Sequence, residues 1–301
     1  MKTLIKTIYL LCTFIPFALI SGCSALDLIN TIAKVHPVKS KKNIAFDSAY
    51  PRLNYDLYYP SAPKQAQSSK TPVIVFFYGG SWNSGEKSEY EFVGRSLASK
   101  GFIVAVPNYR LYPEVKYPEF LQDGAKAIAS ILQQLSLPEL TDYNPSKKII
   151  LMGHSAGGYN AAMLAMDDRW LSEVGLDRHN TVSGLIGLAG AYNIYPIAVP
   201  EVKPVFNHPD YPPLSQPIDH TKNARVPTLL LIPETDELVS IERNTLALSK
   251  ALAQANTHQQ VTIIKNTNHI TLIGTLSPLL FFKGDSLTPI TNFVHQISTP
   301  D

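Results

Sequence analysis

The pentapeptide Gly153-His154-Ser155-Ala156-Gly157 constrains the fold more than any other stretch of this 301-residue chain. It has the form G-x-S-x-G and directly follows an apolar run over residues 149–152. In such a sequence a strand ends in a sharp turn and a helix begins, which leaves the serine hydroxyl exposed on the turn. Glycine is required on either side because the turn leaves no room for a nearby Cβ. The sequence therefore predicts a strand, a strained turn that carries Ser155, and a helix over residues 158–166.

Apolar runs alternate with helical stretches on both sides of this turn. Helices are expected near residues 90–100, 121–132 and 287–297, the second because its apolar side chains recur at the spacing of one helix face. Strands that are apolar throughout and separated by helices favour a mostly parallel sheet with helices on both faces. We expect one α/β domain over residues 46–301. The expected strands are residues 55–59, 72–77, 102–106, 149–152, 184–189, 228–232 and 261–264.

One segment, residues 191–226, breaks the alternation. It holds seven prolines, with Pro227 at its edge, and several aromatic residues. Proline stiffens a chain without forming helix or ladder hydrogen bonds. The segment follows a strand at the side where ligands bind in open α/β sheets. We interpret it as a short Pro-rich lid, with a passive surface loop as the alternative.

A serine hydroxyl becomes a good nucleophile only when a base takes its proton, and that base needs an orienting acid. The expected chain order in a fold of this kind is Ser, Asp or Glu, then His. Residues 232–239 follow a late strand and supply three carboxylates. Asp236 is the preferred acid because it lies three residues before Val239, the usual spacing in such loops; Glu234 and Glu237 remain alternatives.

The base is expected after the last strand, and His269 is placed there. The other histidines fit less well. His154 lies inside the pentapeptide, His258 precedes the last strand, and the rest lie before the acid or in the final helix. Ser155, Asp236 and His269 are therefore the candidate catalytic residues.

Backbone N–H groups must also stabilise the negative charge that develops on the attacked carbonyl oxygen. One is expected from Ala156, the residue after the nucleophile. The others are expected from the loop Tyr78-Gly79-Gly80-Ser81-Trp82, which follows an earlier strand. Its paired glycines allow the backbone to approach a ligand closely.

The N-terminus indicates export. Lys2 and Lys6 precede an apolar stretch over residues 7–20 that is short for a membrane span, and Ser21-Gly22-Cys23 follows. This pattern resembles a bacterial lipobox. We expect a signal peptide over residues 1–22, lipid attachment to Cys23 and a tether over residues 23–45. A plain signal peptide and an uncleaved anchor are the alternatives. Ser24 at the second position is similar to the outer-membrane sorting pattern of Gram-negative lipoproteins, which implies the periplasmic or surface side of the cell envelope.

Cleavage before Cys23 would leave a chain with little bias in charge. Loss of Lys2 and Lys6 leaves 24 of 26 basic residues, equal to the 24 acidic ones. Nothing here favours nucleic acid as a partner. Cys12 would also be lost, so no disulfide, cysteine metal site or catalytic thiol is expected.

Together these motifs resemble α/β-hydrolases of the carboxylesterase and hormone-sensitive-lipase-like group, and of its feruloyl-esterase-like and kynurenine-formamidase-like members. The resemblance covers about residues 46–298. The loop at residues 78–82 is similar to the family's His-Gly-Gly-x-Trp, with Tyr78 in place of His. Asn108-Tyr109-Arg110 is similar to Asp-Tyr-Arg, with Asn108 in place of Asp. Residues 117–123 resemble the proline-containing entry to the next helix.

The resemblance implies an α/β-hydrolase fold with a Ser155, Asp236 and His269 triad. It also implies an oxyanion hole built from Gly80, Ser81 and Ala156. The implied reaction is hydrolysis of a small-molecule ester through an acyl-enzyme, without metal or cofactor. Amide hydrolysis by the same triad and an inactive binding protein are the alternatives. The sequence does not identify the ester. Apolar residues at 272–282 are expected either to line an acyl pocket or to pack on the sheet.

Overall fold

The computed structural model describes residues 25–63 and 70–298. The predicted signal peptide and Cys23 lie outside this range. Eight strands form one sheet in the order β1-β2-β4-β3-β5-β6-β7-β8. β1, β2 and β4 pair antiparallel, and every other neighbouring pair is parallel. The strands are β1 Val38–Ala45, β2 Asn54–Pro60, β3 Thr71–Phe77, β4 Ile103–Pro107, β5 Pro145–His154, β6 Val182–Leu188, β7 Thr228–Pro233 and β8 Gln259–Ile264.

Helices cover both faces of this sheet, as the sequence predicts. The central strands are buried almost throughout, and each Leu, Ile or Val side chain removed from water contributes about 1.5–3 kcal/mol. The helices are α1 Ala25–Ala33, α2 Glu91–Ser99, α3 Glu119–Leu135, α4 Pro138–Thr141, α5 Ala156–Met166, α6 Asp168–Ser172, α7 Arg178–Thr181, α8 Ala247–Gln254, α9 His269–Gly274 and α10 Leu287–Ser298.

Helix α5 is the element that fixes the position of Ser155. It packs against β5 and β6, and all of its residues are buried. A helix that is apolar on every side belongs in the interior. β5 lies between β3 and β6 inside the sheet, so the turn between β5 and α5 opens at the carboxyl edge, where parallel sheets bind ligands.

Residues 25–45 are more ordered than the predicted tether. They form α1 and the edge strand β1, which pairs with β2. β1 is a charged edge strand with three lysines, of which Lys41 pairs with Glu139 and Lys42 with Asp56. Charged side chains are typical of edge strands because they discourage pairing with other chains. The prediction of a tether is therefore corrected for these residues.

The Pro-rich segment, residues 191–226, packs onto the body of the domain through Phe206. Its two short 3₁₀ helices are Pro200–Phe206 and Pro217–Asn223. The Phe206 ring lies 5.0 Å from that of Trp82 and 5.5 Å from that of Tyr159, centroid to centroid. The segment therefore lies above the carboxyl edge of the sheet. Whether it moves as a lid stays a prediction. Within the two described ranges, no helix is long and apolar enough to cross a membrane.

Candidate active site

Ser155 lies in a strained turn between β5 and α5. Its φ of 55° and ψ of −122° place a non-glycine residue in a sparsely populated region. Close packing enforces the turn. A Cβ on Gly157 would collide with the carbonyl oxygens of Phe77 and Tyr78, and one on Gly153 would collide with the backbone of Gly157. The serine hydroxyl is thus held at the carboxyl edge of the sheet.

Asp236 and His269 are brought together from adjacent strands. Asp236 follows β7, and His269 is the first residue of α9 after β8. His269 Nδ1 lies 2.7 Å from Asp236 Oδ2. Asp236 Oδ1 accepts the backbone N–H groups of Leu238 and Val239 at 2.9 and 2.8 Å. The Asp236 side chain is 1% exposed.

The electrostatics of this pair favour an ionised carboxylate. Desolvation alone would raise the pKa of Asp236. The hydrogen bond from His269 and the two amide donors outweigh it and hold the pKa below its usual value. Asp236 therefore accepts from Nδ1, which leaves Nε2 as the ring nitrogen of His269 that can exchange a proton.

The alternative acids have other surroundings. Glu234 is exposed, and its Oε2 accepts the backbone N–H of Asn266 at 2.9 Å. Glu237 is exposed as well. Of the three carboxylates in this loop, Asp236 is the one that contacts His269.

A cavity of about 390 Å³ joins the candidate residues. Ser155, Ala156, Ser81 and His269 all line it. Ser81 and Trp82 have φ of 50° and 58°, and Gly80 has φ of 124°, so the loop after β3 turns sharply towards Ser155. Ala156 is the first residue of α5, and the N–H of a first helical residue has no partner inside its helix. Of the three sequence-predicted oxyanion residues, Ser81 and Ala156 line the cavity, and Gly80 precedes Ser81 in the loop.

Tyr78 and Asn108, the two departures from the family pattern, are hydrogen-bonded to each other. The Tyr78 hydroxyl lies 3.1 Å from Asn108 Oδ1 and accepts from Arg52 Nη2 at 3.1 Å. The Tyr109 hydroxyl donates to the Tyr78 carbonyl at 2.8 Å. Burial raises the pKa of Tyr78 to about 12, so its hydroxyl stays protonated. The pair braces the start of the loop at residues 78–82 with neutral groups.

His154 contacts the candidate base at its backbone, whereas Asp236 contacts its ring. Its Nε2 lies 2.9 Å from the backbone carbonyl oxygen of His269, and the two rings lie 4.9 Å apart. Burial, together with the nearby His269, lowers the pKa of His154 to about 3. The ring is therefore neutral with its proton on Nε2, since Nδ1 is buried and has no hydrogen-bond partner among the described residues.

Residues 272–282, which the sequence presents as a possible acyl-pocket wall, do not line the cavity. Leu272 and Leu276 are buried in the core, and Phe281 and Phe282 are exposed. The apolar wall comes instead from the Pro-rich segment, through Ile194, Ile197, Ala198, Val199 and Val202.

Two polar wall residues were not anticipated. Asn244 Oδ1 accepts the amides of Tyr192 and Asn193 at 2.8 and 2.9 Å and so fixes the entry to the Pro-rich segment. Arg243 also lines the cavity. Both lie in a π-helical turn, Glu242–Leu246, and no motif in the sequence marks that turn.

Two family models match overlapping parts of the chain. The BD-FAE model matches residues 55–198, and the prolyl oligopeptidase family model matches residues 137–278. The chain is 32% identical to an isoprenylcysteine alpha-carbonyl methylesterase of Arabidopsis thaliana, over 48% of this chain and 33% of that protein. It is 28% identical to a kynurenine formamidase of Danio rerio, over 47% of this chain and 43% of that protein. These matches span between a third and a half of each relative.

Solved structures match over nearly the whole domain. A truncated carbohydrate esterase from gut microbiota superposes with a TM-score of 0.68 at 18% identity, covering 87% of this chain and 97% of that one. An esterase of Thermogutta terrifontis gives a TM-score of 0.66 at 19% identity, covering 87% and 92%. Likeness at this level of identity establishes the fold. With its mostly parallel sheet and the Ser155 turn after β5, the chain has the α/β-hydrolase fold.

Proposed function

We propose that this protein is a serine carboxylesterase. Ser155 attacks the ester carbonyl carbon while His269 Nε2 takes the hydroxyl proton. Asp236 holds the Nδ1–H tautomer and stabilises the imidazolium that forms. The 2.7 Å contact between Asp236 and His269, with both His269 and Ser155 lining one cavity, is the observation that carries this proposal.

The backbone supplies the stabilisation that the anionic intermediate needs. N–H groups of Gly80, Ser81 and Ala156 receive the developing oxyanion, and α5 begins at that point with its positive dipole end. Collapse of the intermediate releases the alcohol, which takes its proton from His269. Water then attacks the acyl-serine with His269 as the base, which regenerates Ser155.

The esterase relatives support an ester as the substrate, and the kynurenine formamidase relative keeps amide cleavage as the second candidate. A panel of p-nitrophenyl esters of rising chain length, assayed beside an aryl formamide, separates the two. We expect turnover of the esters and its loss in Ser155→Ala, by as much as about a millionfold. Faster hydrolysis of the formamide than of every ester would favour the amide hydrolase. Equal ester turnover in purified Ser155→Ala would rule out the mechanism.

We also propose that Cys23 carries lipid and anchors the protein in the cell envelope, on the periplasmic or surface side of the outer membrane. The support lies in the sequence of residues 2–24. Buried acyl methylenes contribute about 0.8 kcal/mol each to membrane binding.

A further inference from the structure

Arg243 is a cationic side chain on the cavity wall that the proposed reaction does not use. It is half-buried. Among the residues that the structure describes, no other Lys or Arg lines this cavity. One of its terminal N–H groups donates to the carbonyl oxygen of Pro196 at 3.0 Å. Within the described part of the chain, no carboxylate oxygen lies within 4.0 Å of its guanidinium nitrogens. Arg243 therefore faces the cavity with unused donors.

Five of the six other arginines are better satisfied, and the sixth, Arg225, is exposed to solvent. Arg95, Arg110, Arg169 and Arg178 each pair with a carboxylate at 2.5–2.7 Å. Arg52 has no carboxylate partner but donates to three neutral acceptors. A guanidinium has five N–H donors in a fixed fork that matches a carboxylate with two parallel hydrogen bonds. With a single neutral acceptor, Arg243 lacks the partner that its geometry suits.

The charges of the cavity are separated. Glu237 also lines it, but Glu237 and His269 additionally line a neighbouring cavity with Thr235, Asn268 and Ile270. The negative charge of Glu237 therefore lies on the side of the cavity that His269 lines. Arg243 belongs to the side of the Pro-rich segment, through its bond to Pro196. On that side the Pro-rich segment contributes apolar residues, among them 194, 197–199 and 202, and the uncharged Asn193.

We propose that Arg243 binds a carboxylate at the far end of the substrate's acyl chain, so that the preferred substrates are monoesters of dicarboxylic acids. This inference rests on the proposed esterase function. The apolar wall holds the methylene chain, and the guanidinium fork receives the terminal carboxylate. A neutral acyl chain of the same length would leave the guanidinium donors without a partner.

Methanol release from two matched esters tests this. Monomethyl adipate carries a terminal carboxylate. Methyl 6-methylheptanoate has the same chain with an isopropyl group in its place. We expect the wild-type protein to have the higher kcat/KM for monomethyl adipate. In Arg243→Gln the ratio of the two kcat/KM values should fall by about ten- to a hundredfold, since hydrogen bonds to a charged group are lost. Glutamine keeps an amide donor for the Pro196 carbonyl, so the fall reports charge recognition.

Two further variants sharpen the result. Arg243→Lys keeps the charge but loses the fork, so its ratio should lie between those of wild type and Arg243→Gln. Arg225→Gln removes one exposed arginine outside the cavity lining and should leave the ratio unchanged. Equal losses for both esters in Arg243→Gln, or no wild-type preference for monomethyl adipate, would overturn the carboxylate proposal. Absence of turnover for both methyl esters and for p-nitrophenyl acetate would overturn the esterase function itself.

Discussion

Two hydrogen bonds hold His269, one at its ring and one at its backbone. Asp236 engages its Nδ1 at 2.7 Å, and His154 engages its backbone carbonyl at 2.9 Å. The first bond sets the tautomer, and the second holds the backbone at the start of α9. Proton transfer from Ser155 depends on both, because a base must lie within hydrogen-bond reach of the proton it takes.

Asp236→Asn should lower kcat for p-nitrophenyl esters by about ten-thousandfold, because an amide at this position favours the wrong imidazole tautomer. Glu234→Gln and Glu237→Gln are the matched controls. Their side chains are exposed, so activity should stay within a few-fold of wild type. A greater loss in Glu234→Gln than in Asp236→Asn would show that the acid has been misassigned.

We expect His154 to act as a positioning residue, and a pair of substitutions can test this. His154→Leu removes the side-chain donor to the His269 carbonyl and should lower kcat by about ten- to a hundredfold, with little change in KM. His154→Gln can still donate to that carbonyl and should recover most of the rate. Thermal melting checks that both variants are folded. Equal impairment of the two variants would mean that the ring contributes shape rather than this hydrogen bond.

The sequence predicts Asp236 and His269 because both follow strands that are rich in apolar residues and easy to locate. The structure places their side chains in contact, and their catalytic role stays a prediction. The role of His154 was missed. It lies next to the nucleophile in the chain, but its partner is a backbone atom 115 residues away, and a sequence pattern carries no information on such a contact.

Among the elements, the loop at residues 78–82 shows how two departures from a family pattern compensate each other. Tyr78 and Asn108 are 30 residues apart and share one hydrogen bond. The Tyr78 ring also stacks on Tyr109 at 4.7 Å and on Tyr90 at 5.6 Å. The sequence identified both departures separately; their contact became visible in the folded chain, where the turns after β3 and β4 lie side by side.

Tyr78→Phe should lower kcat with little change in KM, because Arg52 and Asn108 each lose a partner while the stacked ring remains. The loss should be smaller than the hundred- to thousandfold expected for a direct oxyanion donor, since Tyr78 acts through the loop. The double variant with Tyr78→His and Asn108→Asp restores both family residues and should retain more activity than Tyr78→His alone. Additive effects of the two changes would indicate that the pair is not coupled.

The Pro-rich segment is marked in the sequence, but its contribution to the cavity is not. Prolines and aromatic residues mark it in the sequence, and the strand before it ends at the ligand-binding edge. Its provision of the apolar cavity wall was not predicted. Short 3₁₀ helices have no periodic apolar pattern that would indicate which side chains face the nucleophile.

For the whole molecule, alternation of apolar strands and helices was enough to predict the α/β architecture and the strands from β2 to β8. Edge strand β1 was not predicted because Lys39, Lys41 and Lys42 interrupt its apolar residues. A strand at the edge of a sheet has no need of a continuous apolar run, so its sequence resembles a linker.

Attachment to the membrane is a property of the full chain, and Cys23→Ser tests it. We expect the wild-type protein to partition into the detergent phase and the variant to lose that behaviour, because the thiol is the proposed acylation site. Retention of full-length Cys23→Ser in the membrane fraction would favour an uncleaved anchor at residues 7–20.

The most direct test of the esterase proposal is the site at which a fluorophosphonate attaches. Such probes phosphonylate a serine only when a neighbouring base activates it. Peptide mapping by mass spectrometry after labelling should find one adduct per chain, on the peptide that contains Ser155, with loss of ester turnover in proportion to labelling. An adduct on another residue would contradict the account. So would a protein that stays unlabelled after exhaustive treatment with the probe and keeps full ester turnover.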